Sequence, residues 1–156
     1  MAKAGGRKPT KRDANAVFVV LDTNHFREVA EATGRADRFR RRAEAERADV
    51  FISIITVQEA VSGWLALINS LSAGRNQVRG YASFQKTIAA FHEFSILAFD
   101  NEAAEILHRL KSEHRRSGTM DLKIAAICLA HEATLITRNV ADFENITGLR
   151  VDCWLD

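Results

Sequence analysis

The chain has 156 residues, 47% of them hydrophobic and 27% charged, with one Pro and eight Gly. This is the balance of a single globular domain, and it excludes fibrous and low-complexity classes. A chain of this length buries roughly 70% of its unfolded surface without disulfide staples, and its two cysteines, Cys128 and Cys153, fit neither a disulfide framework nor a zinc ribbon. No apolar run approaches the ~18 residues of a membrane span, and no secretory signal is recognisable, so the expectation is a cytoplasmic protein with no membrane association.

The net charge of +2 conceals an asymmetry. Residues 1–16 carry Lys3, Arg7, Lys8, Lys11 and Arg12 against Asp13 alone, and the remainder holds 17 basic and 19 acidic side chains. Residues 1–16, which contain the only Pro, read as a disordered basic tail, and residues 17–156 as the folded domain. The folded part is not broadly basic, so contact with nucleic acid would require local patches, the tail, or metal ions that reverse the sign of an acidic site.

From Val17 the pattern becomes regular. VFVVL is a short β-branched apolar run, expected to be a buried strand ending at Asp22, with a helix from Thr23. Residues 35–48 hold six Arg among three acids, which suits an exposed helix, either a solvated face or a phosphate-facing patch. VFISII (50–55) is a second strand. Thr56 begins a helix in which Val57, Ala60, Val61, Trp64, Leu65, Ile68 and Leu71 recur at steps of three and four. After the turn-like SAGRN, residues Val78, Tyr81, Phe84, Ile88 and Phe91 mark another helix. SILAF (95–99) is a third strand, and residues 101–115 are helical. Residues 121–133 form a helix apolar nearly all round, LIT (135–137) is a strand, and VDCW (151–154) is the last strand. Strands alternating with helices predict a mostly parallel central sheet covered on both faces, a three-layer α/β/α architecture.

In such sheets ligands gather outside the carboxyl ends of the strands. Asp22 ends the first strand, Glu59 follows the second, Asp121 opens the most apolar helix, and Asn139 and Asp142 follow LIT. Carboxylates gathered this closely raise one another's pKa unless a cation compensates. An oxygen-only donor set suits Mg2+ or Mn2+, which activates water and steadies charge on a phosphate. Each acid also has a plainer explanation. Thr56-x-x-Glu59 fits a helix capping box, Asp121 complements a helix dipole, and Asp142 holds a turn. Asp22 beside a buried strand needs a partner under either explanation.

Other chemistries find no support. His131-Glu132 lacks the second histidine of HExxH, because position 135 is Leu. No phosphate-cradling glycine loop occurs. Asn24 stands where an aspartyl-phosphate enzyme would carry its second Asp. Cys128 lies in an apolar stretch that suits packing, and His25, His92, His108 and His114 read as surface or partly buried residues without ligand spacing.

LDTN (21–24), VQE (57–59), GTMDLKIAAICLA (118–130) and LITRNVADFENITGLRVDCW (135–154) together resemble the PIN-domain ribonucleases, and within them the VapC toxins of type II toxin–antitoxin pairs. The likeness covers residues 17–155. It implies a Rossmann-like fold and an endoribonuclease using Mg2+ or Mn2+. By the same resemblance Asp22, Glu59, Asp121 and Asp142 are the catalytic acids, and Asp22, Asp121 and Asp142 hold the metal. Thr23, Thr137, Arg138 and Asn139 support the site or contact RNA, and Asn139 stands where some members have Asp. The implied partners are an RNA substrate, a cognate antitoxin and a second copy in a homodimer. A catalytically inactive module of the same fold, binding RNA or protein, is the alternative.

Overall fold

The computed structural model describes residues 16–156; the expectation of a disordered basic tail over residues 1–16 lies, up to residue 15, outside the described residues. The first strand, β1 (Phe18–Leu21), is buried along its whole length. Its side chains alternate between two cores. Phe18 and Val20 face a cluster with Ile124, Ala125, Cys128 and Leu135, while Val19 and Leu21 face Phe26, Ile52, Phe91, Ile136 and Trp154. A strand covered on both faces has no polar side to present, so VFVVL shows no alternation in sequence.

Two helices, α1 (Thr23–Ala30) and α2 (Gly34–Ala45), lead to β2 (Asp49–Ser53). The helices α3 (Ile54–Ser70) and α4 (Val78–Phe91) precede β3 (Ser95–Leu97), and α5 (Asn101–Glu113) and α6 (Thr119–Ala130) precede β4 (Thr134–Ile136). A single helical turn, α7 (Val140–Phe143), leads to β5 (Arg150–Asp152). The sheet order is β3-β2-β1-β4-β5, and all four pairings are parallel. The chain steps outward from β1 to β3 and then returns to the other side of β1 with β4. The β1/β4 junction is therefore the topological switch point, where such folds bind ligands.

Several boundaries differ from the sequence expectation. The helix α3 starts at Ile54 rather than Thr56, because the Ser53 hydroxyl accepts the Thr56 N–H at 3.1 Å and caps the helix there. The helix expected to run to residue 133 stops at Ala130. Its end carries no Gly signal. Glu132 takes a positive φ of 51°, and the Ala133 N–H closes back on the Cys128 carbonyl at 2.9 Å, a left-handed helix stop made without glycine. Gly148, at φ 84°, does use glycine's freedom, in the turn before β5. The third strand is shorter than expected, ending at Leu97, and the last two are displaced toward the N-terminus by one residue at their starts. Among the described residues no helix is long and apolar enough to cross a membrane.

Candidate active site

Asp22 leaves β1 with an extended backbone and caps α1, its Oδ1 accepting the His25 backbone N–H at 2.7 Å. A short polar acceptor is what a helix start requires of the residue that ends an apolar strand. Across the switch point, Thr137 follows β4 directly, and its hydroxyl donates to Asp22 Oδ2 at 2.5 Å. Thr137 Oγ1 in turn accepts the Asn139 N–H at 3.0 Å. One carboxylate thus ties together the ends of the two central strands. Asp22 is 8% exposed and Thr137 is fully buried, so these donors replace the water that the carboxylate loses.

Glu59 sits in the second turn of α3, too far along for the capping box that Thr56-x-x-Glu59 suggested. The cap is Ser53, and the Thr56 hydroxyl is directed to the Leu21 carbonyl at 3.4 Å. Glu59 Oε1 instead accepts the Thr23 hydroxyl at 2.7 Å, which aims it at the end of β1. Asp121 lies in the first turn of α6, whose N-cap Gly118 supplies no side-chain bond. Its carboxylate folds toward Gly118, where an added Cβ would stand 3.3 Å from Oδ2. Among the described residues Asp121 has no hydrogen-bond or ion-pair partner.

The electrostatics show what converges. Burial holds the Asp121 carboxyl above the ordinary carboxylate value, and the charges of Glu59, Asp142 and Asp22 push it further in the same direction. All four acids, from four different elements, therefore act on one point. Asp22, Thr23, Asn24, Arg27, Glu59, Asp121 and Ile124 line a cleft of about 260 Å3. Asp142 does not line it. It is exposed and accepts a hydrogen bond from the Asn139 side-chain amide, so the turn-holding role expected for it is present alongside its charge on Asp121. Arg138 is exposed and lies in an adjoining cleft with Asn24, Arg27, Glu28, Glu31 and Asp156.

Two residues escaped the sequence reading. His25 was expected at or near the surface, yet it is fully buried, with Nδ1 3.2 Å from Asp22 Oδ1. Its place three residues after a strand-ending Asp, in the first turn of the helix that Asp caps, was the available signal. Arg27 is the second, a cation common to both clefts.

The donor set is carboxylate, hydroxyl and amide, with neither thiolate nor imidazole facing the cleft, and it fits a hard divalent cation in charge and type. Among the described residues no three His, Cys, Asp or Glu side chains stand in a geometry that could hold an ion. Asp142, exposed at the edge of the cleft, is held there by the Asn139 side-chain amide. Asp22, Asp121 and Asp142 are the residues that would supply the ligands.

The PIN domain family model matches residues 19–149. The chain belongs to the PIN domain family. This PIN domain is VapC-like. It is 27% identical over 141 residues to the tRNA(fMet)-specific endonuclease VapC of Salmonella typhimurium, covering 86% of this chain and 96% of that protein. Ribonuclease VapC1 of Rickettsia felis is 40% identical over 62 residues, 37% of this chain and 46% of that one. Among solved structures, VapBC2 from Rickettsia felis bound to a promoter DNA fragment superposes with a TM-score of 0.69 at 21% identity, covering 88% of this chain and 99% of the other. That last likeness is one of fold, and it agrees with the three layers and parallel sheet of this PIN domain.

Proposed function

We propose that this protein is a divalent-metal-dependent endoribonuclease and the toxin of a toxin–antitoxin pair, cutting RNA phosphodiester bonds at the β1/β4 switch point. The observation that carries this reading is the convergence of three acids, Asp22, Glu59 and Asp121, on the cleft, with Asp142 near enough to add its charge. The Asp121 carboxylate is half-buried there with no partner among the described residues, and three like charges act on it. Such an arrangement works against folding unless it serves a ligand. The inactive-module alternative makes the acids helix caps, which Glu59 and Asp121 are not. The family assignment and the VapC relatives support the choice of RNA.

In this reading Asp22, Asp121 and Asp142 hold Mg2+ or Mn2+, which when bound supplies charge neutralisation for a phosphate and a water of lowered pKa. Glu59, aimed by the Thr23 hydroxyl, would orient an attacking water and take its proton. Thr137 keeps Asp22 in place, and Asn139 positions Asp142. Arg138 and Asn24 lie where the RNA backbone would leave the cleft, and a guanidinium there meets phosphate oxygens. Incubating the purified protein with total cellular RNA and Mg2+ or Mn2+ is expected to give a discrete set of cuts that chelator abolishes. An intact, folded protein that cuts nothing with either metal would refute the assignment.

The same reading includes an antitoxin partner and a two-fold homodimer in a cytoplasmic setting. Support for the dimer comes from Leu65, Leu67, Val78, Tyr81 and Ile88, large apolar side chains left exposed on α3 and α4. Sedimentation across a hundredfold range of concentration is expected to show a dimer that dissociates on dilution. A monomer at every concentration would remove it.

A further inference from the structure

We propose that His25 is a positioning residue for Asp22: its neutral Nδ1–H tautomer holds carboxylate Oδ1, leaving Asp22 to meet a cation through a single lone pair on Oδ2. The inference rests on the cation-binding reading of Asp22 and adds a residue that the acid cluster alone does not name.

The tautomer follows from what surrounds the ring. On one side the Trp154 backbone N–H points at Nε2 from 3.5 Å. A backbone N–H can only donate, so Nε2 carries the lone pair and the ring proton sits on Nδ1. On the other side Nδ1 faces Asp22 Oδ1 at 3.2 Å. A carboxylate oxygen only accepts, so Nδ1 must be the donor. The two ends of the ring agree independently. His25 is fully buried, and no water is needed to satisfy either nitrogen.

Counting lone pairs then fixes what Asp22 can offer. Oδ1 accepts two donors, the His25 backbone N–H at 2.7 Å and the Nδ1–H. Oδ2 accepts the Thr137 hydroxyl at 2.5 Å. That hydroxyl's own oxygen receives the Asn139 N–H, which turns its proton toward Asp22. Three of the carboxylate's roughly four acceptor positions are filled. The free one is on Oδ2, so Asp22 ligates through one oxygen in a fixed direction.

The other end of the relay is clamped as well. Arg42 lies over the Trp154 ring at 5.1 Å and bonds both the Cys153 carbonyl and Asp152 Oδ2, at 3.2 and 2.7 Å. Trp154 Nε1 donates to the same Asp152 oxygen at 2.9 Å. Trp154 is buried against Phe39. The chain end beyond β5 is thereby held by α2, and it holds His25, which holds Asp22. Hydrogen-bond partners of ligating groups set metal affinity by about 10- to 100-fold.

The test uses the full chain and Mn2+ as the probe. In the wild type, two-bond 1H–15N correlation of the His25 ring is expected to show the Nδ1–H tautomer, and the Nε2–H form would overturn the proposal whether or not any variant folds. His25→Phe, which keeps ring bulk without a donor, is expected to weaken Mn2+ binding at least about tenfold by electron paramagnetic resonance. His25→Asn replaces Nδ1–H with an amide N–H and is expected to stay within about threefold of wild type. Both variants lose the acceptor for Trp154 and melt lower, so a merely structural role predicts that they lose Mn2+ affinity alike, and that result would overturn the proposal. Wild-type protein that takes up no Mn2+ would bring down the cation reading and this proposal with it. Unchanged affinity in folded His25→Phe would bring down this proposal alone.

Discussion

Replacing Asp22 by Asn is expected to lower kcat/KM for RNA cleavage by about 10^3-fold while leaving the protein folded. The two halves of that expectation come from the same side chain. Asn is as good an N-cap as Asp, and its oxygen, placed at Oδ1, still accepts from the His25 backbone and ring. The helix start therefore survives. Only the contact with Thr137 changes sense, because an amide N–H now faces the hydroxyl oxygen, and the melting temperature should fall by a few degrees at most. What disappears is the formal charge on Oδ2, the one oxygen with an acceptor position left for a cation. A metal-held charge supplies several kcal/mol of transition-state stabilisation, and at 1.36 kcal/mol per tenfold the loss of roughly 4 kcal/mol gives the expected factor. Cleavage of a defined RNA by the variant, beside its circular dichroism and melting curve, checks both halves. Wild-type rates would remove Asp22 from the mechanism, and a collapsed fold would show that its first duty is structural.

The sheet and most of the candidate site were legible in the sequence for a physical reason. Buried parallel strands are short, apolar and β-branched, and the residue that ends one must turn polar, so VFVVL followed by Asp22 reveals both strand and site. The same logic placed Asn139 and Asp142 after β4, whereas Thr137 was named only through the family resemblance. What sequence could not give was set by single side-chain bonds or by backbone choices. Whether α3 starts at Ile54 or Thr56 depends on Ser53 accepting one N–H, and that choice decides whether Glu59 caps a helix or faces a cleft. The end of α6 depends on Glu132 adopting a left-handed conformation with no glycine to announce it. His25 was misread for a different reason. An imidazole at the surface and one buried between a carboxylate and a backbone N–H look alike in one dimension, and its second partner, Trp154, is 129 positions away.

Asp121→Asn separates the plain explanation of this acid from the functional one, because the two predict stability changes of opposite sign. If Asp121 served only to complement the α6 dipole, removing its charge would destabilise the fold by about 0.3–1 kcal/mol. The environment argues the reverse. Its carboxyl is raised above the ordinary value of 3.8, by burial first and then by Glu59, Asp142 and Asp22. A raised carboxyl pKa means that the folded state binds its proton more tightly than the unfolded chain does. Stability therefore falls as pH climbs from the unfolded value through the folded one, and the full penalty is present at neutral pH. Partial exposure screens these contacts, so the gain on substitution is about 0.5–1 kcal/mol, a rise of about 1–4 °C in melting temperature. The advantage should be visible at pH 7 in chelator and should vanish on acidification below the ordinary carboxylate range. Adding Mg2+ or Mn2+ reverses the order. A cation at a hundred times its dissociation constant stabilises the wild type by about 2.7 kcal/mol, whereas the variant has lost a ligand and gains little. Melting curves of both proteins, with and without metal, at neutral and acid pH, contain the whole test. A variant that melts lower in chelator at pH 7 would restore the dipole explanation and take Asp121 out of the site.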